Sequence, residues 1–184
     1  MSKENLKDRI LVLRARLGNK AAFGELYNKY VNKLYRFVYF KVNDTELTQD
    51  IIAQTFLKFW ELIVKEKRIS EIQALLYQIA KNLVIDSYRE KSNQPLPLLY
   101  DTEGEVDPAL IVEFDLHAKI DSQLVHRALE QINNADYKEV IVLRYIEGLS
   151  ITEIAKITDK STGNIRILNH RALAELKKIL HDYL

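Results

Sequence analysis

"SITEIAKITDKSTGNIRILNHRA", residues 150–172, reads as two short helices broken by a turn. Ser150 is a good N-cap, and Glu153 three residues later completes a capping box worth roughly 1 kcal/mol. Ile151, Ile154 and Ala155 then face inward, and the small Ala155 lets a second helix approach closely. Ser161 caps that second helix, whose buried face is expected to be Ile165, Leu168, Ala172 and Leu176. Counted from Ile151, the small residue is fifth and apolar residues stand fifteenth and eighteenth, the spacing of a helix-turn-helix. The turn departs from the usual chemistry. Asp159 holds the ninth position, where a left-handed backbone costs most L-residues about 1–2 kcal/mol, although aspartate eases this by bonding locally. Lys160 stands where an apolar plug is usual, and its stem is expected to lie on the core with the ammonium in solvent.

From Lys156 to Lys178 there are six basic residues, Lys156, Lys160, Arg166, Arg171, Lys177 and Lys178, against Asp159 and Glu175. Thr162, Asn164, Arg166 and Asn169 or His170 are expected on the outer face of the second helix, with Arg171 beside them. Arg and Asn can make bidentate bonds to base edges in the major groove, while lysines mostly meet phosphates. The alternative is the solvated side of a packed helix.

Working back along the chain, "LHAKIDSQLVHRALEQI" and "ADYKEVIVLRYIEG" are helical, with Gly148 as a left-handed stop. Before them, "KSNQPLPLLYDTEGEVDPAL" holds all three prolines, and no helix crosses Pro95–Pro97. Residues 21–41 repeat apolar side chains at helical spacing: Phe23, Leu26, Tyr27, Tyr30, Leu34, Phe37 and Val38. Asn43-Asp44 ends that run. A second helix over about 46–64 turns Leu47, Ile51, Ile52, Thr55, Phe56, Phe59 and Leu62 or Ile63 inward. The basic loop "VKEKRIS" leads to a third at about 71–90, with Ile72, Leu75, Leu76, Ile79, Leu83 and Ile85 on its apolar face. The first twenty residues are expected to add one more helix. The class is all-α: two small helical domains, residues 1–91 and 119–184, joined by a flexible acidic linker over 92–118.

Charge follows the same division. Residues 1–91 carry 17 Lys/Arg against 11 Asp/Glu, residues 92–118 carry none against six, and residues 119–184 carry ten against nine. The absence of cysteine excludes disulfides, thiolate zinc sites and cysteine nucleophiles, and fits a reducing cytoplasm. The first twenty residues scatter charge among apolar ones, unlike a signal peptide, and no run approaches a membrane span. No Gly-rich phosphate loop, nucleophile motif or metal-ligand spacing among His117, His126, His170 and His181 points to an enzyme, a cofactor or a metal. A stand-alone DNA-binding regulator would account for the carboxyl-terminal half alone.

"DIIAQTFLKFW" at 50–60 followed by "ALLYQIAKNLVIDSYRE" at 74–90 resembles region 2 of bacterial sigma factors of the extracytoplasmic-function group. "LEQINNADYKEVIVLRYIEGLSITEIA" followed by "GNIRILNHRALAELKKIL" resembles their region 4. The resemblance implies a non-catalytic initiation factor whose partners are bacterial core RNA polymerase and promoter DNA, with an anti-sigma factor common in the family. It assigns polymerase binding to Asp50 and Gln54, one turn apart on one helix face. It assigns contacts with the promoter −10 element to Lys65, Lys67 and Arg68 in the basic loop and to Lys81, Asn82, Asp86 and Arg89 on the following helix. Tyr77 and Tyr88 either stack on bases there or belong to the core. The −35 element falls to Thr162, Asn164, Arg166, Asn169, His170 and Arg171. The acidic linker either threads the basic RNA exit channel or is a solvating spacer. The chain departs from the family at Ile167, Leu168 and Asn169, and in having Asn133-Asn134 where a pair of prolines is common.

Overall fold

The computed structural model describes residues 3–65, 69–92 and 122–181. They form helices α1 (Lys3–Arg16), α2 (Lys20–Val42), α3 (Thr45–Val64), α4 (Ile72–Ser92), α5 (Ser122–Gln131), α6 (Ala135–Ile141), α7 (Ile151–Thr158) and α8 (Thr162–His181). No strand occurs among the described residues. The helices gather into two compact units, α1–α4 and α5–α8. The expected linker at 92–118 lies almost wholly outside the described residues, as do Lys67 and Arg68.

In the first unit α2 packs against α1, α3 and α4, and α3 also packs on α4. Local chemistry sets the boundaries. Asn19 accepts from Ala22 N (3.1 Å) to start α2. At the other end Asn43 adopts the left-handed backbone (φ 49°) and donates its N–H to Tyr39 O. Asp44 then accepts from Leu47 N (3.0 Å) and caps α3. Leu26, Tyr30, Leu34, Phe37 and Val38 meet Ile51, Ile52, Phe56, Phe59 and Ile63 in the core.

The apolar repeat of α2 is not covered throughout, and the expected face of α4 needs correction. Tyr27 is not inward; it is 40% exposed and leans its ring on Phe56 at 4.6 Å. Phe23 is half-buried in an aromatic cluster with Phe56, Phe59 and Trp60. On α4, Leu75, Ile79 and Ile85 are only partly covered, and Tyr77, Ala80 and Val84 take the buried positions. The reason is that α4 packs against three helices, so its covered arc is broader and rotated from the single stripe that spacing implies.

In the second unit Asn134 caps α6 by accepting from Asp136 N and Tyr137 N. α6 loosens into a π-helical turn over Val142–Ile146. Gly148 (φ 68°) reverses the chain, closed by Leu149 N donating to Leu143 O (3.0 Å). A side chain there would be strained in that left-handed conformation, which is the physical reason for glycine. α6, α5 and α7 then pack against α8, whose Ile165, Ala172, Leu173, Leu176 and Leu180 are buried.

Candidate nucleic-acid interface

The helix-turn-helix is built as its spacing requires, with a charged turn. Ser150 Oγ accepts from Glu153 N, and Glu153 Oε2 accepts from Ser150 N (2.9 Å) and Ser150 Oγ (2.6 Å), closing the capping box. Asp159 is left-handed (φ 57°, ψ 38°), and both it and Lys160 donate their N–H groups to Ala155 O. Ser161 Oγ accepts from Asn164 N (3.1 Å) and starts α8. Lys160 departs from expectation. Its ammonium does not simply enter solvent but meets Asp136 Oδ2 on α6 at 3.2 Å, with both side chains largely covered. A charge pair therefore occupies the place of an apolar plug.

The faces of α8 follow from about 100° of rotation per residue. Ile165, Ala172 and Leu176 define the buried centre. Leu168, expected inside, sits at the margin and is half-exposed. Asn169 lies nearer that centre than Leu168 does, and its Oδ1 is buried with no hydrogen-bond partner among the described residues. It is therefore not on the outer face with the other residues assigned to −35 reading. Arg166 is exposed and His170 and Arg171 are partly exposed on the outer side, with Thr162 and Asn164 partly exposed in the first turn. Arg and His at successive turns can present donors to base edges or phosphates.

In the first unit Asp50 and Gln54 are both exposed on α3, one turn apart. Leu57, next along the same side, is 59% exposed, and Val64 is 57% exposed. The sequence reading missed both. The available signal was phase: Leu57 and Val64 fall out of step with Ile52, Phe56, Phe59 and Ile63. On α4, Asn82, Asp86 and Arg89 share one exposed stripe, where Arg89 Nη1 lies 3.7 Å from Asp86 Oδ1; Lys81 is half-buried at its flank. Lys65 closes α3 and its ammonium sits 3.5 Å from Glu61. The two tyrosines separate cleanly. Tyr77 is fully buried, edge-on to Phe37 at 5.0 Å, so it belongs to the core. Tyr88 is 40% exposed beside the stripe, its hydroxyl donates to Lys41 O, and burial pushes its phenol above the ordinary tyrosine value.

Among the described residues no group of three His, Cys, Asp or Glu is placed to hold a metal ion. No helix among them is long and apolar enough to cross a membrane.

These features define a two-unit helical protein with a helix-turn-helix in one unit and an exposed polar–apolar helix face in the other. Comparison with known proteins places it more closely. Residues 26–94 match Sigma-70 region 2 and residues 122–176 match Sigma-70, region 4. The chain is 30% identical over 177 residues to the ECF RNA polymerase sigma-E factor of Haemophilus influenzae, covering 92% of this chain and 93% of that protein. It is 32% identical over 176 residues to the ECF RNA polymerase sigma factor BldN of Streptomyces coelicolor, covering 94% of this chain and 65% of BldN. Two solved structures share the fold. One is CnrH in complex with the cytosolic domain of CnrY (TM-score 0.69, 22% identity, 96% of this chain and 98% of that one). The other is the sigma factor RpoE in complex with the anti-sigma factor NepR from Bartonella quintana (TM-score 0.64, 22% identity, 86% and 96%). The chain belongs to the sigma-70 family of RNA polymerase sigma factors, in its ECF (extracytoplasmic-function) group. Members of this family are transcription initiation factors, not enzymes.

Proposed function

We propose that this chain docks on bacterial core RNA polymerase in the cytoplasm through its first unit and directs the enzyme to promoters, with the second unit reading the −35 element. Asp50 and Gln54, with Leu57 beside them, present a mixed polar and apolar helix face suited to one helix of the polymerase. Asn82, Asp86 and Arg89, with Lys81 and Lys65, line the surface for the −10 element, and Lys67 and Arg68, just after Lys65 in the sequence, are assigned to the same contact. Cations there hold the backbone while Tyr88 offers a ring to an unstacked base. Arg166, His170 and Arg171 on α8, with Thr162 and Asn164 in its first turn, enter the major groove at −35, as the second helix of such a motif does.

The observation that carries this reading is the pairing of a region-2 unit and a region-4 unit in one chain, each with a polar helix face left uncovered. Two weak DNA contacts become strong together only when something fixes their spacing, because the second contact then forms at a high effective concentration. The polymerase supplies that spacing, so the free chain binds promoter DNA poorly. A protein antagonist that covers these faces fits the same logic. CnrH and the Bartonella RpoE were each solved with a bound partner, in the second case named an anti-sigma factor.

The test is binding of the fluorescently labelled chain to core RNA polymerase by anisotropy, with the housekeeping sigma factor as competitor. Tight, competable binding that falls at least about ten-fold in Asp50→Ala with Gln54→Ala supports the assignment; a ten-fold loss is about 1.4 kcal/mol. Absence of binding, with retained affinity for duplex DNA, would leave a stand-alone regulator. Unchanged affinity in the double variant would remove the proposed contact.

A further inference from the structure

Helix α1 lies before the stretch matched to region 2, and the faces assigned above make no use of it. It has two apolar sides. Val12 and Ala15 are buried against the body of the unit, together with Asp8. On the other side Leu6, Ile10, Leu13 and Leu17 are 48%, 49%, 55% and 88% exposed. Leu17 extends the helix by one bond, its N–H donating to Leu13 O (3.2 Å).

Their spacing is four, three, four, which is the alternation of d and a positions in a coiled-coil heptad. With Leu6 and Leu13 at d and Ile10 and Leu17 at a, the flanking e positions are Lys7 and Arg14 and the flanking g positions are Arg9 and Arg16. All four flanks are basic. Arg16 also donates to Ile63 O and Arg14 lies 3.8 Å from Glu25. Charges at e and g select the partner of such a seam.

From this juxtaposition we propose that the outer face of α1 is a docking seam for an amphipathic helix of another protein, with apolar residues at a and d and acidic residues at e and g. A second copy of this chain is disfavoured, because every flanking pair would set cation against cation in either orientation. A membrane surface is a poorer fit. An interfacial helix needs a broad apolar face to sink into the headgroup region, whereas α1 has its other side packed on the unit and offers only a narrow strip. The seam runs over twelve residues from Leu6 to Leu17, short of two full heptads and roughly 16 Å at 1.5 Å per residue. Binding to a helix alone is therefore expected to be micromolar and sensitive to salt.

The experiment uses the full chain and a labelled synthetic peptide of three heptads with Leu at a and d and Glu at e and g. A second peptide carries Lys at e and g. Saturable anisotropy is expected with the acidic peptide and none with the basic one. Ile10→Lys with Leu13→Lys should weaken the acidic peptide at least about ten-fold despite the added positive charge. Lys7→Glu with Arg14→Glu leaves two acidic and two basic flanks, so it should abolish the discrimination between the two peptides. Both sites are exposed, so circular dichroism should remain that of the parent. Failure to bind, or binding insensitive to Ile10 and Leu13, overturns the proposal. So does self-association of the chain through these residues. Binding to phosphatidylglycerol vesicles through the same residues, without binding to the acidic peptide, likewise overturns it.

Discussion

Asp8 decides whether α1 stays in place. It lies on the inner side of α1, only 3% exposed, and is held by two donors from α2. Lys29 Nζ donates to Oδ1 at 2.7 Å and the Tyr30 hydroxyl donates to Oδ2. Asp8→Ala removes this acceptor from the Tyr30 phenol, 1% exposed, at a cost of about 1–3 kcal/mol for the loss of a buried, charge-assisted hydrogen bond. Lys29 differs because its side chain is 29% exposed and its ammonium can swing to water. The full ~3–5 kcal/mol of a broken buried ion pair therefore does not apply. The expected loss is about 2–3 kcal/mol. Asp8→Asn keeps an acceptor for Tyr30 and loses only the charge, so it should cost about 1–2 kcal/mol. The assay is urea unfolding followed by the fluorescence of Trp60, the single tryptophan. Its ring packs edge-on to Phe23 at 5.0 Å in the first unit, so its signal reports that unit without the second. A loss below about 0.5 kcal/mol, the range of ordinary surface substitutions, would refute the reasoning and leave α1 held by its other contacts, the buried Val12 and Ala15 among them.

Ser150→Ala should cost the second unit about 1 kcal/mol by removing the capping box, seen in far-UV circular dichroism, while the Trp60 transition stays where it was. Arg166→Ala should lower initiation and relax discrimination by about 1–3 kcal/mol at one −35 base, measured with a panel of promoter variants; an unchanged preference would mean that another face reads the DNA. For Tyr88 the raised phenol value means its contribution is fully present below the ordinary tyrosine value and is lost as pH rises through the folded one. Alkaline titration of the Trp60 signal should therefore show a steeper decline in the parent than in Tyr88→Phe.

What the sequence made legible was local. The ends of α2 and α3 at Asn43-Asp44, the box at Ser150 and Glu153, and the reversals at Gly148 and Asp159 each depend on residues within about one turn of one another. Such chemistry can be read without knowing the fold. Asp8 could not be read this way, because its partners lie 21 and 22 residues further along and its charge looked like one more solvated group. Tyr27, Leu57 and Val64 face outward because apolar composition on these helices exceeds what one packed face can cover. Asn169 faces inward because α8 is covered by α5 and α6 as well as by α7. As for the sites, Asp50 and Gln54 carry no physical mark beyond exposure and spacing; only the family resemblance singled them out.

The charged turn of the helix-turn-helix now has a physical account. A left-handed Asp159 costs about 1–2 kcal/mol relative to glycine, and the Lys160–Asp136 pair at 3.2 Å offsets a fraction of that, on the order of 1 kcal/mol for a partly covered bridge. The pair also ties the start of α8 to the first turn of α6, where Asp136 already favours the helix dipole. Its electrostatic consequence concerns DNA. Of the six cations counted between Lys156 and Lys178, Lys160 is turned inward onto a carboxylate, and a cation so held does not neutralise a phosphate. Each phosphate contact contributes about 0.9 to the salt-dependence slope of binding. On the proposed reading Lys160 therefore adds nothing to that slope, which falls to the other cations of the unit, Arg166 and Arg171 on α8 among them.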